Sequence, residues 1–252
     1  MVIGGGIGVV VIIGVVLALV LGSGSGVQAK ATVHRQRVTV SSSTTTTTTA
    51  TPPSVLATTK VPQLRVYQAA DDHSALMTTL SNKTSYGSPR TLLVVGQQPG
   101  WVHTLLPIRP NGAEGWVHDT DVTIASTTYA ISISISNHSL VLANAGVPVI
   151  TTKVAVGKAA TPTPPGTFFV TDLFDLTANP HGAYGAYALA LSGFSEVLQH
   201  FMGGPGQLGV HGIVSETDPG QNITNGCVRL DNNLVTQIGR MIPLGTPVTI
   251  TA

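Results

Sequence analysis

The chain has 252 residues and a formal net charge of +1. Only 9% of its residues are charged, against about 25% in ordinary soluble proteins. With 28 glycines, 16 prolines and one cysteine, it has no basic excess for nucleic acid, no intramolecular disulfide, no multi-cysteine zinc site and no coiled-coil composition.

Low charge with abundant Ser and Thr suits an exported β-rich protein, and the length has room for two small domains. Residues 1–29 form the first segment and carry no charged side chain. The apolar run from Val2 to Leu21 matches the roughly 20 residues that a membrane-spanning helix needs. Two readings stay open: a signal peptide cleaved after Val27-Gln28-Ala29, or an uncleaved membrane anchor. Lys30, Arg35 and Arg37 follow the run and no basic residue precedes it. That bias alone would leave the C-terminal side in the cytoplasm, whereas the rest of the chain argues for an extracytoplasmic location. Residues 30–60 read as a tether. Ser41 to Thr49 is unbroken Ser/Thr, followed by Thr51-Pro52-Pro53-Ser54. Such composition cannot bury enough apolar surface to offset chain entropy, so disorder is expected.

Residues 61–125 have short β-branched runs, such as Thr91 to Val95, and frequent turns. Gly100-Trp101-Val102-His103 recurs as Gly115-Trp116-Val117-His118, with the hairpin signal Asn111-Gly112 between the copies. This predicts a small β-barrel and resembles an SH3-like module. Either Trp101 and Trp116 fill its core, or the module binds cell wall.

Residues 127–252 form the second domain. Ile131, Ile133 and Ile135 alternate with Ser132, Ser134 and Ser136, the pattern of a half-buried strand that turns at Asn137-His138. Val147 to Val156 supplies further strand, Thr161 to Gly166 a proline-fixed bend, and Thr167 to Thr171 strand again. Phe194 to Met202 is expected to be a short helix. Leu234, Ile238 and Met241 mark a second helix capped by Asp231 or Asn232, and Val248 to Ile250 closes as a strand. The fold class is therefore mainly β with short helices.

The sole cysteine, Cys227, is either a small buried hydrophobe or a nucleophile. Gly226 before it permits tight backbone geometry, which can aim successive N–H groups at one point. His211-Gly212 lies sixteen positions upstream, after the apolar Leu208 and Val210. A free thiol is mostly protonated at neutral pH, so a nearby imidazole would take its proton and later return it to a leaving amine. An acyl transfer also needs fixed donors for an oxyanion, for which the Gly226 and Cys227 amides are candidates. A carbonyl near Gly212 would orient the imidazole.

His211-Gly212 followed by Thr224-Asn225-Gly226-Cys227-Val228-Arg229 resembles the signature of the L,D-transpeptidase (YkuD-like) catalytic domain. Val154 to Gly157, Thr161 to Phe169 and Pro243 to Val248 resemble that family's flanking segments, so the likeness covers nearly all of 127–252. It implies Cys227 as nucleophile, His211 as base and the Gly212 carbonyl as its orienting partner. Asn225, Gly226 and Cys227 would supply oxyanion donors, with Thr224 in the same turn. Arg229 would hold the site or a substrate carboxylate, its other reading being a structural ion pair. Asn225 departs from the family's usual histidine, and Thr224 from its commoner serine. Tyr184 and Tyr187 are both candidates for the family's pocket tyrosine, while His181 and His200 read as surface residues. The implied reaction cross-links peptidoglycan stem peptides through a cysteine thioester with release of D-alanine, without metal or cofactor. Carbapenem-type β-lactams are the expected covalent inhibitors. The alternatives are an L,D-carboxypeptidase or endopeptidase on the same fold, and a non-catalytic wall-binding protein. An NlpC/P60-type peptidase is excluded by the order of its residues, cysteine before histidine.

Overall fold

The structure is a computed structural model that describes residues 51–213 and 215–252, all within the unit Thr48–Ala252. The signal or anchor segment and most of the tether lie outside the described residues. Short β-branched segments separated by Gly, Pro and Asn turns give seventeen strands and one α-helix among the described residues.

Seven strands build the first sheet: β1 (Ser54–Thr59), β2 (Gln63–Tyr67), β3 (Leu76–Ser81), β4 (Thr91–Gln98), β5 (Trp101–Leu105), β6 (Glu114–His118) and β7 (Val122–Thr127), in the order β3-β2-β6-β5-β4-β1-β7. β1 corrects one expectation, because Ser54–Thr59 falls in the stretch assigned to the disordered tether. It is an internal strand, antiparallel to both β4 and β7, and it buries Leu56 and Ala57. Two ladders and two buried side chains outweigh its polar composition. The Asn111-Gly112 turn joins β5 to β6 as expected, with Gly112 at φ +80°. In the repeated Gly-Trp-Val-His segments it is Val102 and Val117 that enter the core, among Leu64, Leu92 and Leu106. Strand alternation puts the tryptophans on the opposite face. There His103 stacks on Trp116 at 4.4 Å and His118 lies on Trp101 at 4.0 Å. On that face Trp101 is buried edge-on against Tyr67 while Trp116 is half-buried, so the tryptophans form a second aromatic layer on the sheet face opposite Val102 and Val117.

The second sheet has eight strands: β8 (Tyr129–Ser134), β9 (Ser139–Asn144), β10 (Val147–Lys153), β12 (Gly166–Asp175), β13 (Tyr187–Phe194), β14 (Gln207–Gly212), β16 (Val228–Leu230) and β17 (Pro247–Thr251). Its order is β10-β9-β8-β17-β12-β13-β14-β16, and two-residue β11 (Val156–Gly157) pairs separately with β15 (Asn222–Thr224). Ile131 and Ile133 are buried and Ser132 is exposed, as the alternation requires. The core gathers Leu140, Leu142, Phe168, Leu189, Val210 and Leu230 under the helix α1 (Asn232–Met241). Asp231 caps α1, accepting from the Asn233 and Leu234 amides at 2.8 and 3.0 Å. Its buried face is Val235, Ile238 and Gly239, rotated from the expected stripe, and Met241 is exposed.

The expected helix over Phe194–Met202 does not form. Phe194 ends β13, and the chain then runs as an irregular loop from 195 to 206. The Ser195 hydroxyl accepts the Val197 and Leu198 amides, and Arg109 of the first sheet's β5–β6 loop takes the Ser195, Leu198 and Pro205 carbonyls. The Ser195 hydroxyl and the Arg109 guanidinium have taken groups that a helix would have bonded through its backbone.

Candidate active site

β14 and β16 run parallel, with Val210 opposite Val228 and His211 opposite Arg229. Continuing the register sets Cys227 opposite Gly209. Since side chains two apart on a strand share a face, His211 and Cys227 project from neighbouring strands onto one face. That face is the floor of a cleft of about 360 Å³, lined also by Tyr184, Phe174, Phe201 and Met202. The lining as a whole is predominantly apolar, so a bound peptide would exclude water from the sulfur.

His211 is buried, and its Nδ1 lies 2.8 Å from the Gly212 carbonyl oxygen. A carbonyl only accepts, so Nδ1 carries the proton and Nε2 of the neutral ring keeps its lone pair. Gly212 is itself fixed, for its amide donates to the Tyr184 carbonyl at 3.0 Å. A side chain at Gly212 would collide with Asn232, whose amide group spans from the Ala186 N–H to the Ile213 carbonyl. Burial holds the imidazole down from 6.5 to about 4, opposed by the Gly212 carbonyl and aided by the Arg229 charge. For Cys227, burial pushes the thiol up, while the Gly209 amide and Arg229 oppose this. At neutral pH the resting pair is therefore thiol and neutral imidazole.

The turn that presents the sulfur is held from several sides. Gly226 has φ +111°, a conformation that glycine adopts without strain. The Thr224 hydroxyl accepts the Gly226 amide at 3.1 Å and donates to the Cys227 carbonyl at 2.6 Å. Thr161 donates to the Thr224 carbonyl at 3.0 Å and Thr163 to the Gly226 carbonyl at 2.8 Å. With these carbonyls tied back against the proline bend and the Gly226 amide taken by Thr224, the Asn225 and Cys227 amides are the ones left over.

Of the residues expected from sequence, the structure brings Cys227, His211 and Gly212 together. Thr224 lies behind the turn as a brace. The Gly226 amide, expected to face an oxyanion, is taken by Thr224. The amides of Asn225 and Cys227 make no hydrogen bond among the described residues. The Asn225 side chain meets the Thr161 hydroxyl at 3.5 Å. Arg229 forms an ion pair with Asp218, N–O 3.5 Å. Of the two candidate tyrosines, Tyr184 lines the cleft, edge-on to the His211 ring with centroids 5.1 Å apart. Tyr187 is packed in the core, its hydroxyl donating to the Gly239 carbonyl. His181 and His200 are exposed and do not line the cleft. Among the described residues no three His, Cys, Asp or Glu side chains are grouped to hold a metal ion.

Sequence reasoning missed Thr161, Thr163 and Gly209. The two threonines carried a readable signal: in an extended Thr-Pro-Thr segment, residues 161 and 163 point the same way.

Residues 128–250 match the family model described as the YkuD L,D-transpeptidase catalytic domain. The YkuD protein of Bacillus subtilis (strain 168) is 34% identical over 122 residues, which are 48% of this chain and 65% of that protein. The YkuD protein of Bacillus licheniformis is 34% identical over 123 residues, 49% of this chain and 66% of that protein. The chain thus spans just under two thirds of the length of these curated relatives. A crystal structure of an L,D-transpeptidase from Mycobacterium tuberculosis H37Rv is similar at 17% identity, covering 57% of this chain and 75% of that one with a TM-score of 0.42.

Proposed function

We propose, on the premise that residues 128–250 are an L,D-transpeptidase catalytic domain of the YkuD family, that this chain cross-links peptidoglycan stem peptides through an acyl-enzyme on Cys227. The observation that carries the reading is the His211 tautomer. Its Nδ1–H is spent on Gly212, and its basic Nε2 belongs to the same cleft floor as the only thiol.

Both groups rest neutral, so proton transfer accompanies attack. As the sulfur adds to the donor carbonyl, His211 Nε2 takes the thiol proton. Negative charge then grows on the carbonyl oxygen, for which the Cys227 amide is the available donor. The C–N bond breaks, D-alanine leaves with the proton from His211, and a thioester remains. The side-chain amine of a second stem adds to that thioester and gives its proton to His211. Departure of the sulfur with this proton restores the resting pair. Arg229 acts through its charge, favouring thiolate over thiol and disfavouring a protonated His211.

The substrate class puts this work outside the cytoplasmic membrane, a reading supported by the uncharged residues 1–29 and the Ser/Thr tether. Carbapenem-type β-lactams would acylate the same sulfur. Incubating the full chain with purified disaccharide-tetrapeptide and weighing the products tests the proposal. Cross-linked dimers and free D-alanine are expected. Tripeptide alone, or unchanged substrate with the thiol reduced, would contradict it.

A further inference from the structure

The cleft is not built by the second sheet alone. Tyr86, from the loop joining β3 to β4 of the first sheet, lies in its wall. Its ring stands edge-on to Phe174 of β12, with centroids 5.1 Å apart and planes at 90°. The ring is 54% exposed, yet its backbone is tightly tied. The Thr84 hydroxyl accepts the Tyr86 and Ser88 amides and donates to Asp172, a carboxylate buried in β12. Thr84 thus pins the loop to the strand that also carries Phe174, two residues on.

A second part of the cleft wall depends on the first sheet as well. It is the loop 195–206, which brings Phe201, Met202 and Gly204 to Gly206 to the cleft. Arg109 donates to the carbonyls of Ser195, Leu198 and Pro205 at 2.7, 3.2 and 2.9 Å, and its guanidinium lies 4.9 Å from the Phe194 ring centre. Asn111 accepts from the Phe194 amide and donates to its carbonyl, both at 2.8 Å. Within the loop, the Ser195 hydroxyl accepts the Val197 and Leu198 amides, and Phe201 and Gly204 exchange backbone hydrogen bonds, while Arg109 ties the Ser195, Leu198 and Pro205 carbonyls to the first sheet.

We propose that the first sheet is a working part of the cleft. Tyr86 is a specificity-determining residue that takes the apolar side of the donor peptide, and Arg109 is a positioning residue that sets the wall from Phe201 to Gly206. This rests on the donor being the stem peptide named above. An aromatic ring that is half exposed, rigidly seated and already edge-on to a second aromatic leaves one side for a ligand. Both parts of the wall line the cleft that holds Cys227, so their positions bear on how wide a donor reaches it.

The test uses the full chain with Tyr86→Ala, Tyr86→Phe, Arg109→Ala and Arg109→Lys. One readout is kcat and KM on disaccharide-tetrapeptide. The other is the rate of Cys227 alkylation by a bulky aryl maleimide relative to iodoacetamide. Tyr86→Ala should raise KM roughly three- to tenfold with kcat nearly unchanged, the loss of one aromatic contact, and raise the maleimide ratio. Tyr86→Phe, which keeps the ring, should restore both. Arg109→Ala should raise the maleimide ratio, and Arg109→Lys should not rescue it, because one ammonium cannot serve three carbonyls in a fixed fork. An active Tyr86→Ala enzyme with wild-type KM overturns the proposal, as does an unchanged maleimide ratio in both alanine variants. If the wild-type chain turns over no tetrapeptide, the functional reading fails, and the alkylation ratio still decides whether Tyr86 and Arg109 form the walls.

Discussion

The two sheets bury different chemistry. Inside the first, the buried side chains are apolar, Tyr67 and Trp101 among them, apart from Thr91, Thr104 and Thr127. The second buries His211, Asp172, Asp218, Thr161, Thr163, Thr224, Ser192 and Thr246 beside its apolar core. A buried polar group is costly unless it is hydrogen-bonded, and here the bonds of four of them serve one place. Thr161, Thr163 and Thr224 hold the cysteine turn, and Gly212 holds the histidine. Even so, the Asp218 Oδ2 and Arg229 Nε atoms beside the site have no hydrogen-bond partner among the described residues. One sheet is organised for stability and for shaping its neighbour, whereas the other gives up some stability to hold a thiol and an imidazole in place.

Four perturbations would break or sharpen that contrast. The largest effect belongs to His211→Gln, which should slow carbapenem acylation of Cys227 by about 10²- to 10⁴-fold, measured by stopped-flow absorbance. A wild-type rate would remove His211 from the chemistry. Next is β1. A chain cut to begin at Val61 loses the strand between β4 and β7 together with buried Leu56 and Ala57. It should melt at least about 10 °C below a chain beginning at Thr51, corresponding to several kcal/mol. Equal melting temperatures in calorimetry would return residues 54–59 to the tether.

The third perturbation is pH. His211 binds its proton at about 4 in the fold instead of 6.5. Between those values the unfolded chain holds a proton that the native chain lacks, so stability rises with pH across this window. The contribution, about 3 kcal/mol, is complete above 6.5 and lost as pH falls towards 4. Urea unfolding from pH 7 to 4 should show this slope in the wild type and much less of it in His211→Gln; equal slopes would contradict a buried neutral imidazole. The smallest effect is Thr163→Val, which leaves the Gly226 carbonyl and Gly157 amide without their shared hydroxyl. It should cost about 1–3 kcal/mol and slow acylation. Unchanged stability and rate would show that the turn holds itself.

Much of the site was legible in the sequence because its determinants are local. Gly226 before a lone cysteine, Gly212 after a histidine at a strand end, and Asp231 before an apolar stripe each act within a few residues. The strands from Tyr129 to Asn144 were legible for the same reason, since alternation and turn residues are adjacent in the chain. The features that stayed hidden depend on partners far apart. Residues 194–202 have a composition compatible with a helix, and Arg109 and Asn111, more than eighty positions upstream, draw their carbonyls into a loop. Tyr86 reaches the cleft through Asp172 and Phe174, at a similar separation. The strand at Ser54–Thr59 was masked by the Ser/Thr run before it, and the tryptophan face by the burial of the valine between each Trp and His. Periodicity reports which residues share a face, but not which face a second sheet will cover.

The most direct test of the central claim is the intact mass of the reduced full chain, quenched within seconds of mixing with disaccharide-tetrapeptide. The account predicts an adduct equal to the donor less one alanine, mapped to Cys227 and absent from Cys227→Ala. Donor consumed by the Cys227→Ala chain, or no adduct on the reduced wild-type chain, would contradict it.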